Sequence, residues 1–288
     1  MVLFEMVKYH ARTYPSDIPL RREEVAAHFD VATIKMGTSY SLHTEYSYGK
    51  RALNSNLISK FPVLMEAQKG GVPQLWKSPE WASAFAQFIF ELAGNQAPPA
   101  VIEVHPPFSD YTDMANFIKI YSIFEQMVTE VLPGTEILVE NRCGSIYRGG
   151  KFIISKQKDM EELCECVERN GLKLKIAFDI PQLYTAHNAQ IQDKYIRLME
   201  LMEPLRPHIG GVHLWGKRKS STGRRVSHCG DLNSYFENDT IVKTAFLRAF
   251  TKCFDDGIAR KLVLEVNSGD GDLLSIIKDL QGSGVEFI

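Results

Sequence analysis

The chain has 288 residues, 44% hydrophobic and 24% charged, with a formal net charge of -2. That length and apolar content bury a large core without disulfide or metal staples, which excludes disordered, collagen-like and mini-protein classes. The near-neutral charge excludes a globally basic nucleic-acid binder but not a local cationic patch.

In chain order, residues 2–7 read as a strand ending near Lys8, and residues 38–42 as one ending at His43. Ser78-Pro79-Glu80 is an N-cap followed by Pro at the first helical position; Trp81, Phe85, Phe88, Ile89 and Leu92 then line one face before Gly94. Apolar runs at 101–104 and 137–139 end at His105 and Glu140. A helix over 159–169 stops at Asn170-Gly171, just before a run at 174–178 that ends at Asp179. The run at 209–212 ends at His213, a helix covers 240–254, and the run at 262–264 ends at Glu265. A last helix near 272–280 precedes the apolar residues 284–288.

Strands too apolar to have a solvent face, alternating with helices, predict a parallel sheet covered by helices. Neighbouring strand ends stand about 35 to 40 residues apart for the most part, near the roughly 31 per unit of a barrel of about 250 residues. No GxGxxG or GxxxxGK[ST] marks an open doubly wound sheet, and no Pro, Gly or Ser linker divides the chain. The expectation is a single α/β domain over residues 1–288, a TIM-type (β/α) barrel. Only seven strand ends are legible, at Lys8, His43, His105, Glu140, Asp179, His213 and Glu265, whereas such a barrel has eight strands. The reading is therefore that the usual first strand is absent and that 284–288 partly cover the gap. An open seam would expose strand edges that a second copy of the chain could cover, giving a homo-oligomer.

Five cysteines (Cys143, Cys164, Cys166, Cys229 and Cys253) are odd in number and lack CxxC spacing, a pattern of reduced thiols. No basic and apolar leader opens the sequence, and no apolar run approaches the roughly 18 residues of a membrane helix. The expectation is a cytoplasmic protein without a membrane partner.

A polar residue at one strand end is ordinarily a loop hydrogen-bonding group. Here His43, His105, Glu140, Asp179, His213 and Glu265 follow one another at successive strand ends, which a barrel gathers on one face. Imidazoles with carboxylates suit zinc, manganese or iron better than calcium or magnesium. Behind His213, the segment with Lys217, Arg218, Lys219, Arg224 and Arg225 interleaved with Ser, Thr and Gly reads as a mobile phosphate clamp, or else as a solvated loop. Trp215 and Tyr147 are candidates to stack on a base or sugar, although side chains of this type more often serve packing.

The fragments Ser41-Leu42-His43, Glu103-Val104-His105-Pro106, Val139-Glu140-Asn141-Arg142, Phe178-Asp179, Gly211-Val212-His213 and Leu264-Glu265 resemble the xylose isomerase-like barrels. These include endonuclease IV (the family 2 AP endonucleases) and the sugar isomerases and epimerases. The resemblance spans nearly the whole chain and rests on the order of short motifs. It equates residues 2–7 with the family's second strand. It implies that Glu140, Asp179, His213 and Glu265 hold one metal, and that His43 and His105, with Glu140 bridging, hold a second. It places His228 as an accessory ligand. Apart from the resemblance, Arg142, Lys217, Arg218, Arg224 and Arg225 are the candidates to meet phosphate or substrate. Gln182 and Val226 stand where the nuclease has two ligands of a third metal, so a complete three-metal site is not expected.

Two readings of the chemistry follow. With two cations, the chain hydrolyses a phosphoester, in DNA or in a phosphorylated small molecule. With one, the chain is a sugar or sugar-phosphate isomerase or epimerase, in which glutamates beside the metal move protons at carbon. Glu140 and Glu265 are the catalytic candidates in both mechanisms and do not discriminate between them. A third reading is a non-catalytic metal-binding barrel. The cofactor expected in all three is a divalent metal, zinc or manganese, one or two per chain.

Overall fold

The computed structural model describes residues 1–28, 39–44, 55–67, 72–143, 150–190 and 192–288. The strands are β1 (Val2–Lys8), β2 (Leu20–Ala27), β3 (Tyr40–Thr44), β4 (Val101–Val104), β5 (Glu136–Glu140), β6 (Lys175–Asp179), β7 (Ile209–Leu214), β8 (Lys217–Lys219), β9 (Arg225–Ser227), β10 (Arg260–Leu264) and β11 (Val285–Phe287). One nine-stranded sheet runs β10-β7-β6-β5-β4-β3-β2-β1-β11, and β10 also pairs with β1. Those pairings close a ring of eight strands, the topology of an α/β barrel of the TIM type.

The ring corrects the expectation of seven strands with the first one missing. The strand that sequence reading missed is β2, before Glu265 and directly after β1. Its sequence, LRREEVAA, places four charged residues after the exposed Leu20, and only Glu24 and Ala27 are fully buried, so its apolar residues are confined to the short Val25-Ala26-Ala27 at its end. Parallel neighbours usually need a helical crossover, but residues 9–19 turn from β1 to β2 without one. That connection is tied down instead by side chains: Arg12 donates to the carbonyls of Val266 (3.0 Å) and Ser268 (2.8 Å), and Tyr14 Oη donates to that of Leu264 (2.8 Å). Strand β2 pairs with Met6–Lys8 of β1, while β11 pairs in parallel with Val2–Phe4, so residues 285–287 do extend the pairing of the first strand.

The described residues fall into two units. One comprises Met1–Glu23 and Phe178–Ile288. In it β1 pairs in parallel with β10, and β10 with β7. Helix Thr240–Phe254 begins as expected, with Asp239 Oδ1 accepting from the N–H groups of Ile241 and Val242, and packs Phe250 and Phe254 against Phe4. The other unit is Glu24–Ala177, where β3, β4, β5 and β6 pair in parallel succession. Its helix Pro79–Ala93 starts at Ser78, whose hydroxyl accepts from Trp81 N–H at 3.2 Å, and ends at Gly94 with φ of 54°. Trp76, Trp81, Phe85, Phe117 and Phe124 interlock edge-to-face and stacked over this helix and helix Met114–Val131. Among the described residues no helix is long and apolar enough to cross a membrane.

Candidate metal centres

Among the described residues, each unit brings together a buried cluster of imidazole and carboxylate groups. In Glu24–Ala177, β3 presents His43, β5 ends on Glu140, and His105 follows β4. Their ligating atoms lie within 4.8 Å of one another. His105 Nδ1 is 3.2 Å and His43 Nε2 4.0 Å from the same Glu140 oxygen, Oε2. The other oxygen, Oε1, accepts from Arg142 at 2.8 Å, so Arg142, expected to meet phosphate or substrate, here neutralises Glu140. His105 is further fixed through its carbonyl, which accepts from Trp76 Nε1 at 2.8 Å.

Two carboxylates that sequence reading passed over complete this surround. Glu24 Oε2 and Glu103 Oε1 lie 3.5 and 3.6 Å from His43 Nδ1, and both residues are buried. A signal for Glu103 was present: residues i and i+2 of a strand share a face, so Glu103 and His105 point the same way. Glu24 was hidden with the unrecognised strand. Burial works against a charged imidazole at His43, yet Glu24 and Glu103 overcome it and raise its pKa to about 10. At His105 burial prevails over the pull of Glu140 and lowers the pKa to about 4, leaving a neutral ring with a lone pair to give.

In the other unit Asp179, His213 and Glu265 bring their ligating atoms within 4.8 Å of one another, all buried. Asp179 is also the N-cap of helix Ile180–Ala186: Oδ1 accepts from Gln182 N–H at 2.8 Å, and Oδ2 from Trp215 Nε1 at 2.9 Å. His213 Nδ1 is 3.0 Å from Glu265 Oε1. His228 Nδ1 lies 3.1 Å from Oε2 of the same glutamate, so the accessory histidine joins this cluster. Burial would raise the Glu265 pKa, but His213 and His228 hold it well below the usual carboxylate range. A neutral His213 with Nδ1–H on that carboxylate has its lone pair on Nε2, the tautomer of a metal ligand.

At the two positions that correspond to third-metal ligands of the nuclease, Gln182 gives its backbone N–H to Asp179, and Val226 is an exposed residue of β9. Trp215 is 2% exposed and stacks on His228 at 4.4 Å, the packing role rather than that of an open platform for a base. Tyr147 lies outside the described residues. The cationic segment is an antiparallel hairpin of β8 and β9, not an irregular loop, with Gly223 at φ of 77° in its turn. Arg218 pairs with Asp272 at 2.6 Å, Lys219 with Glu237 at 3.1 Å, and Arg225 also with Glu237. Lys217 Nζ donates to Thr185 Oγ1 at 2.7 Å and stands over the rings of Trp215 and Tyr235, while Arg224 is exposed. A cavity of about 730 Å³ is lined by Lys217, Arg218, Lys219, Arg225, Glu237 and Asp272.

No family model and no curated protein matches the chain. Among solved structures, the crystal structure of AsfvAP:AG superposes with a TM-score of 0.52 at 10% identity, covering 98% of this chain and 97% of that one. An AP endonuclease, family 2, from Brucella melitensis gives 0.48 at 10% identity over 95% and 97%. The probable 3-DHS dehydratase AsbF, involved in petrobactin synthesis, from Bacillus anthracis gives 0.45 at 12% identity over 85% and 76%. At such identities the likeness is one of fold.

Proposed function

We propose that this chain is a divalent-metal-dependent hydrolase of phosphoesters, with one cation at His43, His105 and Glu140 and one at Asp179, His213 and Glu265. The observation that carries the reading is the pair of buried clusters, one per unit, each a set of three ligating atoms from imidazole and carboxylate groups. That donor chemistry fits zinc or manganese. Such cations, when bound, supply Lewis acidity to a phosphoryl oxygen and to an attacking water. The chain's own residues prepare for them: His105 is neutral, Arg142 orients Glu140, and Asp179 is held by a hydrogen bond on each oxygen. The resemblance of the strand-end motifs to endonuclease IV supports a phosphodiester substrate, in DNA or in a phosphorylated small molecule.

A specific observation favours a second reading, a sugar or sugar-phosphate isomerase or epimerase: Glu237 and Asp272 partly neutralise the hairpin cations that a polyanion would need. Elemental analysis of protein purified without added metal separates the two. Two metals per chain, falling to one in a His43→Ala, His105→Ala variant, together with cleavage of a simple phosphodiester, is the expected result. One metal, unchanged in the variant, with solvent-proton exchange into a ketose, would overturn hydrolysis in favour of isomerisation.

A further inference from the structure

We propose that Trp215 is a positioning residue, which fixes Asp179 and His228 in the arrangement the Asp179, His213 and Glu265 cluster needs to take a divalent cation. The proposal rests on the metal-binding reading above and adds to it a side chain that is not itself a ligand.

Trp215 follows β7 and is buried. A buried indole N–H requires an acceptor, and here the acceptor is Asp179 Oδ2 at 2.9 Å. With Gln182 N–H on Oδ1, each carboxylate oxygen is held by a hydrogen bond. Each oxygen has two lone pairs, so the group is oriented while retaining donor capacity for a cation. The indole ring also lies on His228, with ring centroids 4.4 Å apart and planes 22° from parallel. His228 in turn meets Glu265 Oε2 at 3.1 Å. One planar side chain therefore sets the carboxylate plane of Asp179 and the ring plane of a histidine that orients Glu265.

Two backbone features hold this arrangement. His228 has φ of 56°, left-handed backbone that a side-chain-bearing residue keeps only where its surroundings over-determine it. Its carbonyl accepts from Asn267 N–H at 2.7 Å. Gly216 comes so near the chain at Gly230 that a Cβ there would stand 2.2 Å from the Gly230 carbonyl oxygen, so glycine alone lets the backbone leave Trp215 on this course. Lys217 Nζ, 5.2 Å from the indole centroid, adds a cation over the ring. Hydrogen-bonded neighbours of metal ligands ordinarily govern metal affinity by about ten- to a hundredfold.

The test is a Co(II) titration of the parent and of Trp215→Phe, which keeps a ring against His228 and deletes the N–H. The binding step that belongs to this cluster is the one Asp179→Asn abolishes. In Trp215→Phe that step is expected to weaken about ten- to a hundredfold, with a changed visible spectrum of the bound ion, a readout that a purely structural loss would leave alone. Binding within twofold of the parent with the same spectrum overturns the proposal and leaves the metal-binding reading standing. A parent that binds no Co(II) overturns both. Should Trp215→Phe not fold, the indole N–H signal of Trp215 in the parent, identified by its contacts to His228, is expected to shift on adding Zn(II). A signal that stays in place overturns the proposal.

Discussion

The two clusters are made of the same residue types and behave differently. At His43 and His105 the carboxylates outnumber the imidazoles: Glu24 and Glu103 face one ring, and Glu140 meets both. His43 accordingly keeps a proton up to about pH 10, while His105, lacking the extra carboxylates, gives its proton up above about pH 4. In the other cluster the numbers are equal, Asp179 and Glu265 with His213 and His228, and both histidines meet Glu265, which stays ionised. The first cluster holds a proton where a cation would sit; in the second the Glu265 carboxylate is ionised between its two imidazoles. The count of carboxylates around an imidazole, not its burial alone, decides which kind of site a strand end makes.

The largest expected effect tests the neutralisation of Glu140. Arg142→Ala removes one partner of a buried pair, with Glu140 fully buried and Arg142 nearly so, and is expected to cost about 3–5 kcal/mol in the metal-free protein. His228→Ala removes a partly exposed partner of Glu265, which keeps His213, and is expected to cost about 1.5–3 kcal/mol. Urea unfolding at neutral pH measures both. Equal losses would erase the distinction between a carboxylate-rich and a balanced cluster.

Acid and alkali should separate the two histidines of the first cluster. His43 has a raised folded pKa, so its contribution to stability is full below its ordinary 6.5 and lost as pH rises through about 10. His105 has a lowered one, so its contribution is full above 6.5 and lost as pH falls through about 4. Single His→Ala variants should each flatten one limb of the stability profile of the metal-free protein. Metal binding follows the same contrast: displacing one proton from His43 makes affinity at that cluster climb by about tenfold per pH unit near neutrality. Affinity at the Glu265 cluster should stay level with respect to that carboxylate. Zn(II) titrations of the parent and of His43→Ala at two pH values check this, and a parallel dependence in both proteins counts against it.

These contrasts mark what sequence could and could not reveal. Strands 101–104 and the helix at 240–254 were legible to the residue, because apolar runs and caps are local signals. The strand ends carrying Glu140, Asp179 and His213 were legible for the same reason. Strand β2 was not, since charged side chains fill its first half and turns replace the expected crossover helix. Glu24 went unread with it, and with Glu24 the cause of the His43 shift. Trp215 read as a packing residue or a stacking platform by residue type, but its partner His228 lies across the hairpin, a proximity no local pattern encodes. The hairpin cations told the same story: their carboxylates, Glu237 and Asp272, are distant in sequence from several of them.

The smallest expected effect lies there. Glu237 accepts both Lys219 and Arg225 at the surface, where each pair is worth about 0–1 kcal/mol, so Glu237→Gln should barely move stability. Its consequence for binding is larger than for folding, because it releases two cations beside an exposed Arg224. If the hairpin grips a polyanion, log affinity against log salt for a DNA duplex should steepen by up to about two contacts' worth in Glu237→Gln, and Arg224→Ala should make it shallower by about one. A small phosphorylated or sugar substrate predicts instead no measurable duplex binding in either variant. The slope of a salt titration thus distinguishes a polymer substrate from a small one by way of a carboxylate that touches neither cluster.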